Sequence, residues 1–379
     1  MKVKACLVVL SGALFAGACA AAAEPPLPSA ARNVIFIMSD GVRWQDVFRG
    51  ADPVLLDKDH GGIADVEAAR RAFWRESPAA RREALMPFLW TVIARQGQIY
   101  GNRDLRSEAF VTNEMFFSYP GYNEILTGFP DPRIDSNDKI PNANVTVLEW
   151  LNRKPAFAGK VAAFGAWDAF PAILNAGRSG LVVNAGVEPF TAGPPSATMA
   201  LLNRLKQETN VFQGEALDAL TFHTAIEYFK QRRPRVLYLS LGETDEWAHA
   251  GKYDQYLTSI HRADQYAKEL WEAAQSMEQY RGTTMLIIGV DHGRGEAPVE
   301  WRSHGQKIPD SKYVWMAFLG PDTSALGERS NASPVTESQV AATLAAFLGE
   351  DYNAGAEQAG KPVADAIRHA DAVHGPARR

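Results

Sequence analysis

An almost unbroken apolar run from Asn33 to Ser39, NVIFIMS, gives way abruptly to Asp40-Gly41. A run of this length without polar alternation predicts a strand buried on both faces, ending in a loop that opens with Asp40. Runs of the same kind recur at 160–165, 181–185, 235–241, 283–290 and 313–319. Between them, apolar residues return at helical spacing over roughly 86–96, 119–127, 145–152, 196–208, 215–231, 253–277 and 335–348. Strands alternating with helices predict an α/β fold: a mostly parallel central sheet with helices on both faces, a three-layer sandwich. In such sheets ligands collect at the carboxyl ends of the strands.

Three segments break the alternation. Residues 49–85 are charged, with DKDHGG and RRAFWRESPAARRE, and read as a helical insertion. Pro- and Gly-rich stretches at 128–144 and 186–196 read as long loops, which in compact domains often carry function. The tail beyond Tyr352 reads as a loosely held helix with a frayed end.

The first residues have a different pattern. Lys2 and Lys4 precede an apolar segment from Ala5 to Ala18 and a small-residue run ending at Ala23, the form of a secretory signal peptide over 1–23. The segment is short for a membrane span and no later stretch is longer and as apolar, so a periplasmic or secreted protein without a transmembrane helix in its mature chain is expected. Ala16-Gly17-Ala18-Cys19 is an imperfect lipidation box, which leaves a lipoprotein anchored through Cys19 as the alternative. Both cysteines, Cys6 and Cys19, lie in this leader, so residues 24–379, about 356 in number, form the expected single catalytic domain without disulfides. The formal charge of −5 becomes two units more negative once the leader lysines are gone, which disfavours nucleic-acid polymers as partners. Oligomeric state is not encoded in any of these features.

Chemistry enters at the strand ends. The first run ends at Asp40; LYLSLGETDEWAH supplies Asp245 and His249; LIIGVDHG supplies Asp291 and His292; and His304 follows in the next loop. Singly, an Asp after a strand is usually a helix cap and a loop His is usually solvated. Together they are six oxygen and nitrogen donors, including three of the eight histidines, and suit two divalent metal ions. Zinc is the expected metal, although iron or manganese could use the same ligands. Asp245 and His249 converge if the chain turns helically after its strand. Each imidazole needs an acceptor for its second nitrogen. A nucleophile is expected between the first Asp and the later ligands, and FFSYPGYNEILTG offers Ser118 at the start of an amphipathic helix closed by Gly128. The competing reading makes Ser118 only the N-cap of that helix.

This ordered set resembles the alkaline phosphatase superfamily: Asp, then Ser or Thr before a helix ending in Thr-Gly, then Asp-x-x-x-His, Asp-His-Gly and a final His. The nucleotide pyrophosphatase/phosphodiesterase branch is the most similar. The resemblance runs from about Asn33 to Pro321. It implies an alkaline-phosphatase-like fold, with Asp40, Ser118, Asp291 and His292 around one ion and Asp245, His249 and His304 around the other. It also implies that Ser118 is the nucleophile of a two-step phosphoryl transfer, with an Asn after the nucleophile helix to hold a phosphoryl oxygen. Asn137 is the nearest candidate, with Asn142 or Asn144 as alternatives.

The sequence departs from that branch around the nucleophile, where it has Ser, Tyr and Gly-Tyr in place of Thr, Phe and Asn-His. The second ligand motif is Asp-Glu-Trp-Ala-His, without the usual Gly before the His. Sulfatases, another branch, carry Arg four residues past the nucleophile, where this chain has Tyr122. Arg294 could grip a phosphate in bidentate fashion or pair with an acid such as Glu296. Arg43 has the same two options. Trp44, Tyr119, Tyr122 and Trp247 are either packing residues or a surface for a base or aryl leaving group. The expected function is an exported two-metal hydrolase of small phosphate esters, mono- or diester, acting through phosphoserine. The alternatives on the same scaffold are a sulfatase, a phosphonate hydrolase or a phosphotransferase, and, outside enzymes, a silent binding protein.

Overall fold

The computed structural model describes residues 30–193, 196–209 and 211–368. The signal peptide, Cys6 and Cys19 lie outside the described residues, as do the last residues of the tail. Ten strands occur in chain order: β1 (Asn33–Ser39), β2 (Gln98–Tyr100), β3 (Ala109–Phe110), β4 (Val161–Gly165), β5 (Val182–Ala185), β6 (Val236–Leu241), β7 (Thr284–Gly289), β8 (Met316–Leu319), β9 (Gly327–Glu328) and β10 (Val335–Thr336). Eight of them form one sheet in the order β5-β4-β6-β1-β7-β8-β2-β9, while β3 and β10 pair separately.

The central strands behave as their sequences predict. Every residue of β1, β6 and β7 is buried, which requires cover on both faces of the sheet. β1 pairs in parallel with both neighbours, placing Ser39 opposite Leu241 and Met38 opposite Gly289. Continuing the second register by two residues brings Asp40 level with Asp291. The Asp40 amide still donates to the Leu241 carbonyl, so the chain holds its course up to the first acid. β8 runs antiparallel to both β7 and β2 and interrupts the parallel run, which resumes where β2 pairs with β9.

The helical insertion is present as Val66–Phe73 and Pro78–Leu85, each capped by a side chain, Asp65 and Ser77. The helix expected at 86–96 runs over 87–96, widened to a π-helix across Leu89–Ile93, and Asp264 accepts from the amides of Phe88 and Leu89 at its start. Three expectations are corrected. The helix expected from 215 begins at Asp218, since the backbone of Glu215 is engaged in bridges to Trp167 and Phe212. Residues 335–348 open as strand β10 and a 3-10 turn before the helix Val340–Phe347. The tail is not a loose helix: it makes two 3-10 turns, Tyr352–Ala354 and Ala364–Ala366, and buries Ala359, Val363 and Ala366 in the core.

Candidate active site

The loops at the carboxyl ends of β1, β6 and β7 bring the expected residues together. Beyond β6 the chain turns at once into the helix Glu243–His249, so Asp245 and His249 stand one turn apart and His249 Nε2 comes within 3.2 Å of Asp245 Oδ2. His292 Nε2 lies 3.2 Å from Asp40 Oδ1 and 3.6 Å from Asp291 Oδ2. His304 Nε2 lies 3.5 Å from Asp245 Oδ1 and 3.0 Å from His249 Nε2. Two groups have donors close enough to share an ion, Asp40 with Asp291 and His292, and Asp245 with His292 and His304. His292 belongs to both, and its ring stacks on that of His304 with centroids 3.8 Å apart, so the two imidazoles expected at separate ions are neighbours here.

The surroundings fit metal ions. His292 Nδ1 lies 2.9 Å from the Gly293 carbonyl and His304 Nδ1 lies 3.1 Å from the Phe116 carbonyl, which turns both Nε2 atoms toward the cluster. Asp40 Oδ1 and Asp291 Oδ2 are buried without a hydrogen-bond partner. Such oxygens are rare in a native interior unless something fills the gap. Burial, reinforced by Asp40, pushes the Asp291 carboxyl up to about 8. Burial lowers His292, but Asp291 and Asp40 outweigh it and raise the ring to about 9. His304 is pushed far down by burial and by His292, Arg294 and His249, and so is neutral, as a ligand must be. Asp291 and His292 thus hold protons at positions that a divalent ion would take in exchange.

Ser118 is the first residue of the helix Ser118–Thr127, whose cap position is Phe117 with no side-chain cap bond. The serine hydroxyl is therefore not spent on capping; its Oγ lies 3.5 Å from His292 Nε2. Two glycines allow this approach. A Cβ on Gly121 would come within 2.1 Å of the Asp291 carbonyl, and one on Gly41, at φ +59, would press on Arg294 and His292. One turn past Ser118, Tyr122 donates from its hydroxyl to Asp40 Oδ2 at 2.9 Å and accepts from Ser240.

The three asparagines separate. Asn137 Oδ1 accepts from the amide of Tyr119 beside the start of the helix, whereas Asn142 and Asn144 bond Asn123, and Asn144 also bonds Asp131, behind it. Arg294 is buried and does not reach for Glu296; its guanidinium donates to the Gly41 carbonyl and to the carboxylate of Asp245. Burial, with Arg43 adding to it against the pull of Asp40, lowers Arg294 to about 9. Arg43 points away from the ligands, held bidentate by Asp46. Of the aromatic candidates, Trp44 is buried beside Arg49 and Arg103, Tyr119 donates to the Ile140 carbonyl, and Trp247 keeps a partly open face against Phe212.

Sequence reasoning missed the floor beside this cluster. Trp167 and Asp168 follow β4 as Asp40 follows β1, and the same strand-end rule would have found them. Glu215 has no strand before it and only the folded chain brings it here.

Solved structures share this architecture. Wild-type alkaline phosphatase PafA superposes with a TM-score of 0.59 over 92% of this chain and 100% of its own, at 11% identity. A 2-O GAG sulfatase, BT1596, gives 0.53 over 89% of this chain and 74% of its own, at 14% identity. The lipoteichoic acid synthase LtaP from Listeria monocytogenes gives 0.51 over 85% and 73%, at 11% identity. The fold is that of the alkaline phosphatase superfamily. No family model matches the sequence, and no curated protein does. Within the alkaline phosphatase fold of this chain, the donor cluster and Ser118 sit where β1, β6 and β7 end. Among the described residues no helix is long and apolar enough to cross a membrane.

Proposed function

We propose that this chain is a metal-dependent hydrolase of phosphate esters, working in the periplasm or outside the cell through a phosphoserine on Ser118. One observation carries the reading: an uncapped serine hydroxyl at a helix start lies 3.5 Å from His292, the residue that the two donor groups share. Asp40, Asp291 and His292 would hold one divalent ion, and Asp245, His249 and His304 the other, with zinc the expected metal. When bound, such ions supply positive charge that lowers the pKa of a coordinated hydroxyl and neutralises phosphoryl oxygens.

The chain's own residues do the rest. Ser118 Oγ, at the positive end of its helix, attacks phosphorus in line; the Oγ–P bond forms as the bond from phosphorus to the ester oxygen breaks, and that oxygen keeps the electron pair, takes up the proton Ser118 has released to solvent and leaves as the alcohol. Water then cleaves the phosphoserine and frees Ser118. Asn137 steadies a phosphoryl oxygen from the loop beside Tyr119, Tyr122 fixes the orientation of Asp40, and Arg294 turns its guanidinium to the same cluster. Tyr122 also counts against the sulfatase reading, because it fills the place of the Arg which that branch requires and spends its hydroxyl on Asp40.

The test is a panel of phosphate monoesters, diesters, phosphonates and sulfates offered to the zinc-loaded protein, with an acid quench during turnover. Phosphate-ester hydrolysis with phosphate trapped on Ser118 is the expected result. Turnover of sulfates alone, or no turnover together with no bound metal, would remove the proposal.

A further inference from the structure

Beside the donor cluster, two pairs of aromatic rings flank one buried carboxyl. Tyr122, whose hydroxyl holds Asp40, packs on Trp167 with centroids 6.5 Å apart. Trp167 and Glu215 are antiparallel bridge partners, and so are Phe212 and Glu215, which places the three side chains on one face. Phe212 meets Trp247 edge to face at 5.1 Å, and Trp247 lies between Asp245 and His249 on their helix. The wall therefore joins the nucleophile helix to the helix that carries the second donor group.

Glu215 is 8% exposed, and its Oε2 is buried without a hydrogen-bond partner. That oxygen lies against Gly242, where a Cβ would come within 2.2 Å, at the foot of the helix Glu243–His249. Among the described residues no cation pairs with it: Lys139 is paired with Asp168 at 2.6 Å, and Arg262 with Glu243 at 3.1 Å. Burial first, then Asp40, Glu246, Asp218 and Asp168, push its carboxyl well above the usual range. A carboxyl buried in this way keeps its proton and can give it up when a cation arrives to take its place. Aromatic faces around an acid are the surroundings in which an alkylammonium binds well.

We infer that the wall formed by Trp167, Phe212, Glu215 and Trp247 is the substituent pocket of this site, and that it selects phosphate esters bearing an alkylammonium group. The inference rests on the phosphate-ester reading above. With the phosphoryl group at the donor cluster, a short aminoalcohol arm reaches the wall. There the ammonium meets the rings and Glu215, whose proton leaves as the cation pairs with it. A neutral aryl or nucleoside substituent would stack on the same rings and leave Glu215 protonated and unpaired.

The experiment compares nitrophenyl phosphorylcholine with its isostere carrying a tert-butyl group in place of trimethylammonium, on the zinc-loaded full protein and on Glu215→Gln. In parallel, calorimetry compares the binding of choline and of the matching tert-butyl alcohol. The expected result is a preference for the cation of about tenfold or more in kcat/KM and in affinity, collapsing toward unity in Glu215→Gln. Equal treatment of the two isosteres by the unaltered protein, in turnover and in binding, overturns the inference while leaving the hydrolase reading intact. Preferential choline binding without hydrolysis of any ester does the reverse: the cation pocket stands and the hydrolase reading falls.

Discussion

Asp40 and Asp46 lie on one short stretch of chain, both buried, in opposite circumstances. Asp46 is saturated: Arg43 grips both of its oxygens at 2.7 and 2.9 Å, and Tyr253 donates to it at 2.5 Å. Tyr256 adds a bond to the Arg43 amide, and Tyr253 one to the Asp52 amide. Asp40, Asp291 and their imidazoles are crowded together instead, with carboxylate oxygens left over and with Asp291 and His292 raised above their usual values. The contrast teaches how to sort buried charge. A pair of opposite charges holds the fold even with Arg43 Nη1 left unbonded, whereas acids and imidazoles of like character with oxygens left over await a ligand.

Four measurements break or sharpen that contrast, in descending order of effect. Ser118→Ala should cost on the order of 10³-fold or more in kcat on a phosphate ester while leaving the melting midpoint within a few degrees; undiminished hydrolysis would unseat the serine. Arg43→Met strands Asp46 and should remove roughly 3–5 kcal/mol of stability in denaturant unfolding. The surviving folded fraction should keep its metal content, and if metal is lost first the two clusters are one. Chelation is the third. A protein held in zinc a thousandfold above Kd should lose about 4 kcal/mol when the ion is withdrawn.

The pH dependence of the chelated protein sharpens the third measurement. Asp291 and His292 both titrate higher in the folded chain than when free, so both make the metal-free fold favour bound protons. Its stability should fall as pH rises from 6.5 toward 9, and zinc should stabilise more at the upper end. A metal-free midpoint that rises over that interval contradicts the assignment of those protons. The smallest effect belongs to Tyr122→Phe, which deletes the bond to Asp40 and should weaken zinc binding by about 10–100-fold, measured by competition with a chromogenic chelator.

The long central strands were readable because burial on both faces leaves a continuous apolar word, as in NVIFIMS. Strands β2 and β9, three and two residues long, are too brief to carry any period, and the antiparallel run of β8 is invisible because an apolar word has no direction. At the site, the strand-end rule pointed to Asp40 and Asp291, which backbone register sets level, and to Asp245, which the first turn of the helix after β6 carries. Separating Asn137 from Asn142 and Asn144 needed the folded loop, where only the first reaches Tyr119. Glu215 was beyond reach because its place depends on two bridges, to Trp167 and Phe212, that no local pattern announces.

Three adjacent parallel strands, β6, β1 and β7, deliver the acids, and neighbouring strands in any sheet stand about 4.8 Å apart. The spacing of the donor groups is thus inherited from peptide hydrogen bonds, a ruler that side-chain substitution cannot lengthen. The wall at Trp167, Glu215 and Trp247 stands off that ruler, so a substitution there leaves the strand spacing under the donor groups unchanged.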